Sequence, residues 1–148
     1  GRQDDPAYLA DVRAQIAALG LDDHVLLAGQ IPGDALLGWY QSADVFALPS
    51  LSVGERFEGF GLVFLEASAS GLPVIGTTGS GVEEAIITGE TGLLVPQDDP
   101  DALAGAIARL LQDEPLRARM GAAGRAYART QDWSAVAGRM KDVYAALA

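Results

Sequence analysis

Residues 44–77 restrict the fold more tightly than any other part of the chain. Asp44 to Ser50 form a short apolar run closed by Pro49, which predicts a buried strand ending in a turn. Gly59, Phe60 and Gly61 follow on a glycine-bearing loop, and the apolar run after them predicts a helix over 61–70. Pro73 to Thr77 predict a second strand. Strand, loop, helix and strand in that order make one βαβ unit, with parallel strands and the helix as the crossover.

In such units ligands bind at the carboxyl ends of the strands, against the N-terminus of the following helix. Glycines there adopt backbone angles that other residues resist, and they let a ligand approach the main chain. The first amides of the helix, those of Gly61, Leu62 and Val63, have no partner inside it and carry partial positive charge. They make a seat for a phosphate. Two acids, Glu58 and Glu66, lie eight positions apart around this seat. Glu66 falls one turn after Leu62, so both can share a helix face. A carboxylate repels a diphosphate, and beside one it is useful as an acceptor for the hydroxyls of a ribose or a sugar. The combination suits a nucleotide sugar better than a plain nucleotide.

The rest of the chain continues the alternation. Periodicity predicts helices over 7–19 and 34–42, strands over 24–28, 44–48, 73–77 and 91–95, a short helix over 82–87, and three C-terminal helices. That is an α/β chain with a parallel sheet. Asp5 before Pro6 marks the first helix start and Gly20 its end, with Tyr8, Leu9, Val12, Ile16 and Leu19 at helical spacing. Leu36, Leu37 and Tyr40 are expected to face inward, and Asp34 reads as a turn residue or helix cap. His24 reads as a solvated strand-end histidine. Asp98 and Asp99 precede Pro100 and read as a helix cap rather than a metal-binding pair. Phe60 is expected to be a buried anchor with its backbone toward the ligand, and Arg56 a solvated loop residue. Arg117, Arg119, Arg125 and Arg129 read as a solvated helix face in preference to a membrane-binding one.

Composition removes several function classes. A length of 148 residues is enough for one domain with a real core. With no cysteine there is neither a disulfide framework nor a thiolate metal site. No apolar run reaches membrane-spanning length, and no signal peptide is visible. A net charge of −10 argues against nucleic acid as a partner. The same charge sits awkwardly with an anionic ligand, because no Lys or Arg lies between Arg56 and Arg109.

The stretch Glu58 to Glu66, together with Gly71 to Ile75, Gly79 to Glu84 and Gly89 to Val95, resembles the retaining glycosyltransferases of the GT-B fold. Their signature is two glutamates with seven residues between them, and the likeness covers essentially the whole chain. It implies a Rossmann-like C-terminal domain with strand order 3-2-1-4-5-6, of which residues 1–148 keep the last four strands and a helical tail. Strand 24–28 would then pair directly with strand 44–48, unless the truncated domain is unstable alone. It implies that Glu58 contacts the transferred sugar, that the amides of Gly61, Leu62 and Val63 hold the diphosphate, that Gly59 and Phe60 belong to the same donor-binding loop, that Glu66 binds the ribose, and that Ile31 lies beside the base. No metal or other cofactor is implied. The implied partners are the nucleotide-sugar donor and an N-terminal acceptor domain preceding Gly1, with a cytoplasmic location that allows peripheral association with the membrane. Family members usually carry Gly-Gly where this chain has Ser80 and Gly81. A chain without the acceptor half is expected to lack transferase activity, and part of Trp133, Met140 and Tyr144 is expected to be exposed.

Two other readings use the same scaffold: a nucleotide-sugar epimerase, and a non-catalytic nucleotide-binding α/β module. A phosphorylase would need a lysine for pyridoxal phosphate, and Lys141 on the terminal helix is the chain's single lysine. A phosphoacceptor receiver would need an acid at a strand's end, whereas Asp44 begins one.

Overall fold

The computed structural model describes residues 5–52 and 59–147. They fall into two compact units, Gly1–Gly38 and Trp39–Ala148. The second holds a parallel sheet of three strands, β1 (Phe46–Ala47), β2 (Val74–Thr77) and β3 (Gly92–Val95), in the order β1-β2-β3. Phe46 pairs with Val74 and Val74 with Gly92, so β2 is central. The order follows the last three strands of the fold the sequence resembles.

The central strand is buried along its whole length, as a parallel strand covered on both faces must be. Alternation sends its side chains to two cores. Val74 joins Phe64, Ala67, Leu72, Val82, Ala85 and Ile86 on one side. Ile75 joins Val95, Leu110, Leu116 and Met120 on the other. The first core is roofed by helix α3 (Leu62–Ala69), the second by α4 (Pro100–Gln112) and the start of α5 (Glu114–Thr130). Asp99 caps α4 through the amide of Ala102 at 2.9 Å, as the sequence predicts. Asp113 caps α5 in the same way through Leu116 at 2.8 Å. The last helix, α6 (Trp133–Ala146), buries no residue, and Trp133 is 81% exposed.

In the first unit, α1 (Pro6–Ala18) is capped by Asp5 and followed by Gly20 at φ +65°. Leu9, Val12 and Ile16 are half-buried, but Tyr8 and Leu19 face solvent. Helix α2 (Gly33–Ser42) starts one residue earlier than predicted. Asp34 therefore sits inside its first turn, where its carboxylate accepts from the amide of Ala35.

Four expectations are corrected. Residues 24–28 do not form a strand, and β1 pairs with β2 rather than with them. A strand exists through its ladder, and the three-stranded sheet of the described residues does not include this segment; Leu26 is 73% exposed. Leu37 is 54% exposed rather than inward. The predicted helix 82–87 is a single 3-10 turn, Gly81–Glu84, because the amide of Ile87 is taken by the Thr91 hydroxyl at 2.9 Å. Finally, α5 does not present a uniformly solvated basic face. Arg117 donates to the carbonyls of Leu110 and Leu111 and lies 3.6 Å from Asp44. Arg125 donates to the carbonyl of Ser70 at 2.8 Å. Each satisfies carbonyls left over at the C-terminal end of a neighbouring helix.

Candidate functional site

The candidate site lies in the second unit, where the chain leaves the carboxyl ends of the three strands. The connections there are laced together by side chains. Thr77 donates its hydroxyl to the carbonyl of Ser50 at 2.7 Å. Gln97, just past β3, spans two loops: its Oε1 accepts from the amide of Ser52 and its Nε2 donates to the carbonyl of Thr78, both at 2.7 Å. The amide of Gly79 donates to the Glu83 carboxylate. The sequence offered no signal for the Gln97 brace, whose partners stand 45 and 19 positions away.

Two glycines shape the start of α3. Gly61 is its N-cap residue at φ +69°, a left-handed conformation that favours glycine, and no side chain caps the helix there. Among the described residues no group accepts from the amides of Gly61, Leu62 or Val63. Gly81 stands against the backbone of Gly59, so close that a Cβ on Gly81 would overlap the Gly59 carbonyl oxygen. This close contact is made by Gly81 and not by its neighbour Ser80. Phe60 is half-buried and packs against the first core, the anchor role expected of it.

Glu66 is exposed on α3, one turn beyond the exposed Leu62. Its Oε2 accepts a hydrogen bond of 3.2 Å from the hydroxyl of Tyr40. Burial, and then the charge and hydrogen bond of Glu66, push the Tyr40 phenol up to about 12. Tyr40 also meets Phe46 edge-on with ring centres 5.9 Å apart, and Phe46 meets Phe64 the same way at 5.4 Å. Sequence reading placed Tyr40 inward but could not pair it with Glu66, 26 positions away. Val63 packs against the core, so its contribution to the surface is its amide. Ile31 belongs to the first unit, where it is half-buried. Glu58 and Arg56 lie outside the described residues.

The backbone contributes positive charge at this end of the sheet. No Lys or Arg occurs between residues 57 and 108, and the N-terminal amides of α3 supply partial positive charge. Among the described residues, no group of three His, Cys, Asp or Glu side chains is placed to hold a metal ion, and no helix is long and apolar enough to cross a membrane.

Comparison with known proteins gives this geometry a context. Residues 3–127 match the family model for glycosyl transferases group 1. The D-inositol 3-phosphate glycosyltransferase of Corynebacterium diphtheriae is 40% identical over 127 residues, which are 86% of this chain and 29% of that protein. Among solved structures, a sucrose-phosphate synthase from Thermosynechococcus elongatus superposes with a TM-score of 0.80 at 36% identity, covering 97% of this chain and 36% of that one. Anabaena HepE in complex with UDP superposes with a TM-score of 0.79 at 25% identity, over 95% of this chain and 37% of that one. The chain spans about a third of the length of each of these three relatives. With its parallel sheet flanked by helices and a family match over most of its length, the chain belongs to the glycosyl transferases group 1 family.

Proposed function

We propose that this domain holds the nucleotide-sugar donor of a retaining glycosyltransferase. The observation that carries the reading is the juxtaposition, at the carboxyl end of the sheet, of α3 amides that have no acceptor among the described residues with the exposed carboxylate of Glu66 one turn away. The amides of Gly61, Leu62 and Val63 take the diphosphate, helped by the closely packed Gly59 and Gly81 backbones. Glu66 accepts from the ribose hydroxyls and Glu58 from the transferred sugar. As the sugar–phosphate bond breaks, negative charge grows on the leaving diphosphate, and fixed N–H dipoles stabilise it there without reorganising. This assignment uses no metal ion. Retention rests on the two-glutamate spacing, and donor use is supported by the likeness to HepE in complex with UDP.

Transfer also needs an acceptor held against the anomeric carbon, and proximity supplies a large part of the rate. We assign the acceptor to an N-terminal domain, in an enzyme located in the cytoplasm and free to associate with the membrane surface. Isothermal titration of the full-length protein with the diphosphates of uridine, guanosine and adenosine, and with their sugars, tests the reading. Heat with one nucleotide and its sugar is expected; none with any of them refutes donor binding. A transfer assay comparing residues 1–148 with the full-length protein tests the division of labour. Equal turnover by the short chain would refute it.

A further inference from the structure

We propose that Tyr40 is a positioning residue of the donor site, its hydroxyl holding the Glu66 side chain in the rotamer that receives the ribose. The inference rests on the donor-binding reading of Glu66. Glu66 is exposed on one side of a short helix, and a glutamate there has three free torsions to lose when it binds a ligand. Among the described residues it has one restraint. The Tyr40 hydroxyl donates to Oε2 at 3.2 Å, and no other described side chain bonds this carboxylate. The tyrosine is itself held, because its ring packs edge-on against Phe46, which packs edge-on against Phe64 in the core. Rigidity thus passes from the buried core to an exposed carboxylate.

The hydrogen-bond inventory fits this role. An ionised carboxylate accepts only, so the phenol must donate and must stay protonated. The upward displacement of the Tyr40 phenol agrees with that state. Tyr40 occupies one lone pair of Oε2, which leaves Oε1 and the rest of Oε2 for the ribose hydroxyls. A carboxylate ordered before binding loses less entropy when the ribose arrives. Tyr40 therefore favours ribonucleotides over nucleotides without those hydroxyls, although it touches neither.

The test uses the full-length protein and the nucleoside diphosphate of the uridine, guanosine or adenosine series that binds it best, beside the 2′,3′-dideoxy analogue. Tyr40→Phe keeps the ring contacts and removes the hydroxyl. It is expected to weaken the ribonucleotide about three- to tenfold, the value of one modest hydrogen bond, and to leave the dideoxy analogue unchanged. In a Glu66→Gln background, Tyr40→Phe is expected to add at most a small further loss. Equal weakening of both nucleotides would indicate a packing defect and overturn the proposal, as would unchanged affinity for both. If Glu66→Ala weakens the ribonucleotide and Tyr40→Phe does not, the Tyr40 role alone falls. If the wild-type protein binds no nucleotide of the series, the donor reading falls and this inference with it.

Discussion

At the scale of single residues, Glu66 and Tyr40 make opposite predictions. Glu66 is exposed and supports no core, so Glu66→Ala should leave the melting temperature nearly unchanged. Losing a charge-assisted contact to ribose should cost about 1.5–3 kcal/mol in donor affinity, read by titration calorimetry on the full-length protein. Tyr40 instead reports through its own titration. Its phenol is raised from the ordinary value of 10.0 to about 12 in the folded chain. The neutral form is thus favoured by folding. The stability this lends is complete below the unfolded value near pH 10 and is lost as pH rises through about 12. An ultraviolet absorbance titration should show one of the four tyrosines ionising late. Glu66→Gln should bring that step down part of the way, since burial, the largest cause, remains.

At the scale of elements, the site depends on how α3 is held from behind. Its C-terminal end meets α5 at Gly71 and Ser68, against Gly121 and Gly124 of α5. A Cβ on Gly121 would overlap the carbonyl oxygen of Gly71, which is backbone and cannot rotate away. Arg125 reaches across the same crossing to the carbonyl of Ser70. Gly121→Ala should therefore push the helices apart and destabilise the fold by about 1–3 kcal/mol in denaturant unfolding. Gly105 in α4 is the control. A Cβ there meets nothing within 4 Å, and Gly105→Ala should stabilise by about 0.5–1 kcal/mol through helix propensity alone. If both substitutions behaved alike, the close crossing of α3 and α5 would not be what seats α3.

At the scale of the whole molecule, charge opposes the proposed ligand. The chain carries a net charge of −10, and no Lys or Arg lies between Arg56 and Arg109. On the proposed reading, a nucleoside diphosphate would be held by short-range amides against a long-range repulsion, which salt screens over a Debye length of about 8 Å at physiological ionic strength. Raising ionic strength should therefore leave affinity for the nucleoside diphosphate unchanged or increase it in residues 1–148. A basic phosphate site would lose affinity instead. Calorimetry at two salt concentrations distinguishes the two, and a steep loss with salt would count against an amide-dominated seat.

Local chemistry alone was enough to reveal the βαβ unit, the loop of Gly59 and Gly61, the exposed start of α3 and the caps at Asp5 and Asp99, because each depends on neighbours within a few residues. Glu66 was legible for the same reason, four positions from Leu62 on one helix face. The fate of residues 24–28 was not, since an apolar run becomes a strand when a partner completes its ladder, and the partner is a property of the fold. Nor could periodicity tell that Arg117 and Arg125 would bind helix ends in place of water, or that Gln97 would tie two loops together. Tyr40 is the sharpest case. Its inward direction follows from spacing, but its bond to Glu66 follows from the packing of α2, β1 and α3, which brings a phenol and a carboxylate 26 positions apart to within 3.2 Å.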